Sequence, residues 1–183
     1  MASSYCALIR AGQIHPVHTD YHDTEYGFPL TEDALLFERL ILEINQAGLS
    51  WETILKRKEG FRAAYDDFDI AKVAAYGEED VARLLADAHI IRNRLKVAAA
   101  ISNAQTLLRL QDEHGSFRGW LDLHHPRALA DWVKLFRANF RFTGGEIVNE
   151  FLMSTGYLPG AHDADCPVGI AILAQEPPWS RAE

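Results

Sequence analysis

Cysteine is scarce in this chain. Only Cys6 and Cys166 occur in 183 residues, one toward each end. Two thiols cannot build the disulfide framework of a small secreted fold, and a pairing across that distance needs a tertiary reason. Long apolar runs are also missing: no stretch reaches the roughly 18 residues of a membrane span. The N-terminal Met1-Ala2-Ser3-Ser4-Tyr5-Cys6 lacks the basic and hydrophobic regions of a signal peptide, so a cytoplasmic protein with no membrane partner is expected. Positive charge is in deficit, with 18 Lys and Arg against 26 Asp and Glu and a net charge of −8. That argues against indiscriminate phosphate binding but leaves room for a local basic surface. Strand signals are weak, and there is neither an internal repeat nor a low-complexity tract.

What is present is a helical pattern, and the fold class read from it is all-α. Thr31 is a candidate cap, with Glu32 and Asp33 in the first turn of a helix. Leu36, Leu40, Glu43 and Ala47 follow on one face. Ser50 can cap the next helix, which Gly60 is expected to interrupt. Asp69 can cap a short helix through Ala75, and Glu78 to Ala86 reads as another. Asn93 to Leu110 is the longest candidate, with Gly115 ending the region. Leu129 to Phe136 and Gly145 to Met153 complete the set. Residues 1–183 suffice for a single domain, read as two helical lobes around one cleft. The Pro- and Gln-containing stretch 170–183 reads as a loosely ordered tail.

Two segments carry chemistry. Tyr21-His22-Asp23-Thr24-Glu25-Tyr26-Gly27 and Glu43-Ile44-Asn45-Gln46-Ala47-Gly48-Leu49-Ser50-Trp51 combine aromatics with polar tips, a histidine, and a carboxylate on an apolar helix face. Burying Glu43 among Leu36, Leu40, Leu42 and Ile44 costs free energy unless it is paired. Arg39, four residues earlier, is the bland partner; a ligand is the functional one. Tyr21 and Trp51 can stack on a planar, electron-poor heterocycle such as an extruded nucleobase, or they can be core aromatics. Asp87-Ala88-His89-Ile90-Ile91-Arg92-Asn93 has the character of a hairpin between helices, able to turn backbone N–H groups toward a phosphate. Arg92 lies within it, and Arg94 and Lys96 follow.

These blocks resemble the 3-methyladenine DNA glycosylase I family of the helix-hairpin-helix DNA repair superfamily. The resemblance runs from Cys6 to about Pro167. It takes in Tyr21-His22-Asp23, Glu43 with Gln46-Ala47-Gly48-Leu49-Ser50-Trp51, Ile90-Ile91-Arg92-Asn93-Arg94, Phe140-Arg141-Phe142-x-Gly144, and His162-x-x-x-Cys166. It implies a monomeric base excision repair enzyme. Such an enzyme hydrolyses the N-glycosidic bond of 3-methyladenine in alkylated double-stranded DNA, without a redox or nucleotide cofactor. It implies that Glu43 accepts hydrogen bonds from the flipped base and that Tyr21 and Trp51 sandwich it, with Gln46 and Tyr26 also in the substrate pocket. Leu49 becomes a wedge into the duplex, and His89, Ile90, Arg92, Arg94 and Lys96 the DNA-binding surface.

The same resemblance implies one structural zinc per chain, held by Cys6, His22, His162 and Cys166 and joining the terminal segments. On spacing alone, two buried thiols and two surface histidines describe these four residues better. His15, His18, His114, His124 and His125 are assigned to surface or loop positions. The chain departs from the family pattern at Leu8 and Tyr26, where tryptophan is usual, and at His89, where the hairpin usually has glycine and where histidine is expected to be strained. It departs also at Trp120 to His124 and near Trp132-Val133. The altered hairpin and Leu8 keep one alternative open, a catalytically weak or inactive glycosylase-like protein that binds damaged DNA, and the net charge alone would permit another, a zinc-stabilised small-molecule enzyme on a helical scaffold.

Overall fold

The computed structural model describes residues 4–181; Met1 to Ser3 at one end and Ala182-Glu183 of the expected tail lie outside the described residues. Among the described residues all regular structure is helical. The organising element is α3 (Asp33–Gln46), in which every residue from Leu36 to Asn45 is buried. A helix buried on all sides sits at the centre of its domain. Against it pack α4 (Trp51–Leu55), α8 (Arg94–His114), α9 (Phe117–His124) and α11 (Gly145–Ser154). Leu36, Phe37, Leu40, Ile41 and Ile44 join Phe61, Phe68, Ala104, Phe117, Phe136 and Phe151 in one connected core.

Several helix boundaries follow from local chemistry. Ser50 accepts a hydrogen bond from the Thr53 N–H at 3.2 Å and starts α4. Asp69 accepts from Lys72 N–H at 3.0 Å ahead of α6 (Ile70–Ala74). Asn93 accepts from Leu95 and Lys96 N–H ahead of α8, which ends at Gly115 with φ +79°. That left-handed position costs glycine least. The helix α7 (Glu78–Ala86) has the bounds the sequence predicts, and α10 (Leu129–Asn139) overruns its predicted end by three residues.

Elsewhere tertiary contacts override the local pattern. Thr31 does not cap α3; Glu32 occupies the cap without a side-chain bond. Asp33 is used on a neighbour, accepting from the N–H groups of Phe117 and Arg118 at the start of α9 and from the Gln111 amide. Gly60 does not interrupt a helix but lies inside α5 (Lys58–Ala64), and the break falls at Lys56-Arg57. A Cβ at position 60 would sit 2.6 Å from the His89 carbonyl oxygen, so this glycine lets the helix press against the 87–93 turn. The segment read as a loose tail is structured through Arg181: α12 (Pro167–Leu173) begins with a helix-starting proline, Pro178 is buried, and Trp179 N–H donates to Gly156 O at 3.2 Å. The remaining helices, α1 (Tyr5–Arg10) and α2 (Val17–Thr24), lead into the site. No helix among the described residues is long and apolar enough to cross a membrane.

Candidate functional site

Helix α3 buries four polar side chains: Glu38, Arg39, Glu43 and Asn45. Three of them are paired. Glu38 accepts twice from Arg62 Nε at 3.0 Å. The Arg39 guanidinium bonds Glu25, the Tyr21 hydroxyl and the Ser154 carbonyl. Asn45 returns to Ile41 O. Glu43, 4% exposed, has no hydrogen-bond partner among the described residues. Arg39 lies four residues before it but spends its donors elsewhere. A buried carboxylate left without a partner is a free-energy cost that a ligand can relieve.

Glu43 faces a cavity of about 520 Å³, a size suited to a small flat ligand. All the expected substrate residues line it: Tyr21, Tyr26, Glu43, Gln46 and Trp51. The rings do not form an open slot, however. Tyr21 and Trp51 have centroids 5.3 Å apart at 65° and already touch edge to face. A base between two parallel faces needs about 7 Å, twice an ordinary carbon contact. The two rings make a corner, and Tyr26, 5.5 Å from Tyr21 and tilted 35°, extends it. Gln46 braces the turn after α3 by donating to Leu49 O at 3.1 Å. Gly48, at φ +81°, makes that turn possible, and Leu49 stands 39% exposed at its tip.

The cavity wall includes residues the sequence reading did not select: Tyr5, Ile14, His18, Glu146, Ile147 and Glu150. His18 is not a surface residue. It is buried, and its Nδ1 lies 3.0 Å from the Tyr5 hydroxyl. Its signal was available, since His18, Tyr21 and His22 share the buried face of a helix at spacings of three and four. Burial lowers its pKa, with nearby Glu52 opposing. Burial pushes the Glu43 carboxyl up to about 8; nearby Arg39 opposes this and Glu150 adds to it. Burial also raises Glu150, which accepts from the Tyr26 hydroxyl at 3.4 Å.

The 87–93 turn joins α7 to α8. Asp87 accepts from the His89 N–H at 2.8 Å and meets its ring at 3.0 Å. Among the described residues, the non-glycine positions with positive φ are Asp66, Asp67, Phe68, Phe142 and Glu176. His89 is not one of them, so the expected strain is absent: the Asp87 turn accommodates a side chain that projects into solvent. Ile90 is buried and anchors the turn. Arg92 and Arg94 are exposed. Lys96 is not part of this surface. It is 5% exposed, and its ammonium donates to Asn45 O and Ala47 O, both at 2.8 Å. One turn into α8, its stem points back beneath the end of α3, where it satisfies carbonyls that the helix leaves open.

Behind the cavity, Cys6, His22, His162 and Cys166 converge, with ligand atoms within 4.8 Å of one another. Cys6 Sγ lies 3.3 Å from His22 Nε2 and 3.6 Å from His162 Nδ1; Cys166 Sγ lies 3.8 and 3.6 Å from the same two nitrogens. Ligands at ordinary bond lengths on a tetrahedral ion have sulfur–nitrogen edges of roughly 3.6 Å. Each imidazole also uses its other nitrogen: His22 Nδ1 meets Asp23 at 2.7 Å, and His162 Nε2 meets Tyr26 O at 2.7 Å. Such outer bonds fix the tautomer a metal needs. The donor set fits a metal ion.

The match to the methyladenine glycosylase family model covers residues 11–131. DNA-3-methyladenine glycosylase 1 of Escherichia coli K12 is 49% identical over 144 residues, 78% of this chain and 77% of that protein. The DNA-3-methyladenine glycosylase of Haemophilus influenzae is 31% identical, over 82% and 91%. Among solved structures, 3-methyladenine DNA glycosylase I from Staphylococcus aureus superposes with a TM-score of 0.81 at 32% identity, covering 90% of this chain and 97% of that one. A tyrosine-to-phenylalanine variant of 3-methyladenine DNA glycosylase I in complex with 3-methyladenine superposes at 0.79 and 33% identity, over 86% and 95%.

Proposed function

The chain belongs to the methyladenine glycosylase family, and on that premise we propose how its residues excise 3-methyladenine. The enzyme is a DNA-3-methyladenine glycosylase of base excision repair, an N-glycosyl hydrolase. The observation that carries the residue assignment is the unpartnered, buried carboxylate of Glu43 facing an aromatic-walled cavity. A flipped 3-alkylated adenine presents an exocyclic amine to that carboxylate, and its positive charge to the faces of Tyr21, Tyr26 and Trp51. Alkylation already makes the base a good leaving group, so recognition of the cation replaces a strong general acid. Normal adenine lacks the charge and gains less. Glu146 and Glu150 give the same wall two further acidic groups, which also favour a cationic guest.

Leu49 wedges into the space the base leaves. The helix-hairpin-helix formed by α7, the 87–93 turn and α8 presents Arg92 and Arg94 to phosphates. Cys6, His22, His162 and Cys166 hold one zinc ion in a closed structural site, which ties α1 and α2 to the 159–166 loop. Zinc there supplies folding free energy and no step of the chemistry. The two motives for the non-catalytic alternative weaken: His89 is not among the described residues with positive φ, and Leu8 is not part of the cavity wall.

Purified protein should release free 3-methyladenine from alkylated duplex DNA, and no release above the spontaneous rate would overturn this reading. The DNA surface has its own test. Arg94→Ala should reduce the salt slope of duplex binding by about one unit. Lys96→Met should leave that slope unchanged and lower unfolding stability by about 1–3 kcal/mol, because two carbonyls lose their partner. A Lys96→Met slope that falls by one unit would return Lys96 to the phosphate surface.

A further inference from the structure

Residues 140–144 link α10 to α11, and the middle of this link breaks two rules at once. Phe142 has φ +62°, and its ring is 41% exposed. A bulky side chain pays for a left-handed backbone that glycine adopts freely, and it gains no core packing in return. The strain is held by its neighbours. Asn103, fully buried, donates to Arg141 O at 3.1 Å and accepts from Arg141 N–H at 2.7 Å. Phe140 and Thr143 on either side are buried, and the Thr143 hydroxyl returns to Phe140 O at 3.3 Å. The clamp turns the intervening ring outward.

The direction is specific. The Lys96 ammonium lies 6.0 Å from the Phe142 centroid while bonding Asn45 O and Ala47 O. Two residues beyond Ala47 is the exposed Leu49. One buried ammonium therefore ties the exposed Phe142 ring to the end of the helix that carries Glu43, two residues before the exposed Leu49. Arg141, next to Phe142, is exposed and makes no ion pair among the described residues.

We propose that Phe142 is a second apolar wedge, stacking on a base of the duplex next to the extruded nucleotide, with Arg141 beside it available to a phosphate. The occupant is duplex DNA because the exposed ring reaches, through Lys96, the turn that carries Leu49, and because the exposed Arg141 beside it makes no ion pair among the described residues. A π-face stacks on any base, so the contact suits a search that must tolerate every sequence. The proposal rests on the glycosylase reading above.

The test uses a duplex carrying a tetrahydrofuran abasic analogue with 2-aminopurine in the adjoining and opposing positions, so that stacking is read without catalysis. Phe142→Ala should bind this duplex roughly ten- to a hundred-fold more weakly and lose most of the 2-aminopurine response of the wild type. Its affinity for free 3-methyladenine should not change. Phe142→Gly should show the same DNA defect with a raised Tm, because the strain is relieved. Wild-type duplex affinity and fluorescence in Phe142→Ala would overturn the proposal. So would a variant whose Tm and free-base affinity fall together, since that describes a packing residue. A wild-type protein that gives the 2-aminopurine response but releases no base from methylated duplex would refute the glycosylase activity alone and support the wedge.

Discussion

Glu43→Gln should keep its fold and lose about ten- to a hundred-fold in excision of 3-methyladenine. The two side chains are nearly equal in size, so the cavity keeps its shape. The amide accepts a weaker hydrogen bond and cannot offset the charge of the lesion. Loss of one charge-assisted bond in a desolvated site is worth roughly 1.5–3 kcal/mol, which gives that range. Trp51→Ala should cost a similar amount, on the order of 1–3 kcal/mol for a lost stacking surface. The pKa of Glu43 adds a second signature. Burial holds it near 8 against an ordinary 4.5, so the empty site carries a proton at neutral pH that an incoming cation must displace. Excision at limiting substrate should therefore rise with pH up to about 8, and Glu43→Gln should flatten that limb.

Stability separates this role from a merely structural one. A carboxyl whose pKa is raised by folding is best tolerated while protonated. Its contribution is fully present below about 4.5 and is lost as pH rises through about 8. Glu43→Gln should therefore match the wild type near pH 4 and exceed it in Tm at pH 9. If Glu43 only braced α3, the variant would melt lower at every pH and turn over normally per folded molecule. That pair of results would remove Glu43 as the base-reading residue.

Much of this could be read from the chain, for reasons that differ by region. Ser50, Asp69, Asn93 and Gly115 set helix ends through bonds within their own turn, and local bonds leave local sequence signals. Glu43 stood out because a carboxylate on an apolar face is costly wherever it is buried. Asp33 lies in the first turn as read, but the Thr31 cap and the Gly60 break misled: Glu32 takes the cap while Asp33 bonds α9, and Gly60 makes room for the His89 carbonyl. Lys96 sits in a basic run and reads as part of a charged surface, yet its stem turns inward to carbonyls of another helix 49 and 51 residues away. The wall of the cavity is the clearest limit. Glu43 and Trp51 share one segment, whereas Glu146, Ile147 and Glu150 come from α11 and meet them only in the folded chain. His18 was legible in principle, but only once α2 was recognised as a helix.

Protein purified without added metal should carry close to one equivalent of zinc per chain, and Cys166→Ser should lose it. The four donors come from α1, α2 and the 159–166 loop, so the ion closes a ring through nearly the whole sequence. Its removal also leaves a cost behind, because two buried thiols and two imidazoles face one another with their outer bonds to Asp23 and Tyr26 O still in place. A destabilisation on the order of 3–5 kcal/mol, comparable to losing a native disulfide, corresponds to a Tm lowered by about 10 °C in a chain of this length. Activity per folded molecule should fall much less. Tyr21 is held by Arg39, Tyr26 reaches Glu150, and Glu43 lies on the central helix away from the cluster. Chelation of the wild type should reproduce the drop in Tm, and restoring zinc should reverse it. Metal content below about a tenth of an equivalent in folded, active protein would be decisive the other way. The convergence of two cysteines and two histidines would then be a buried polar cluster that the core tolerates without an ion.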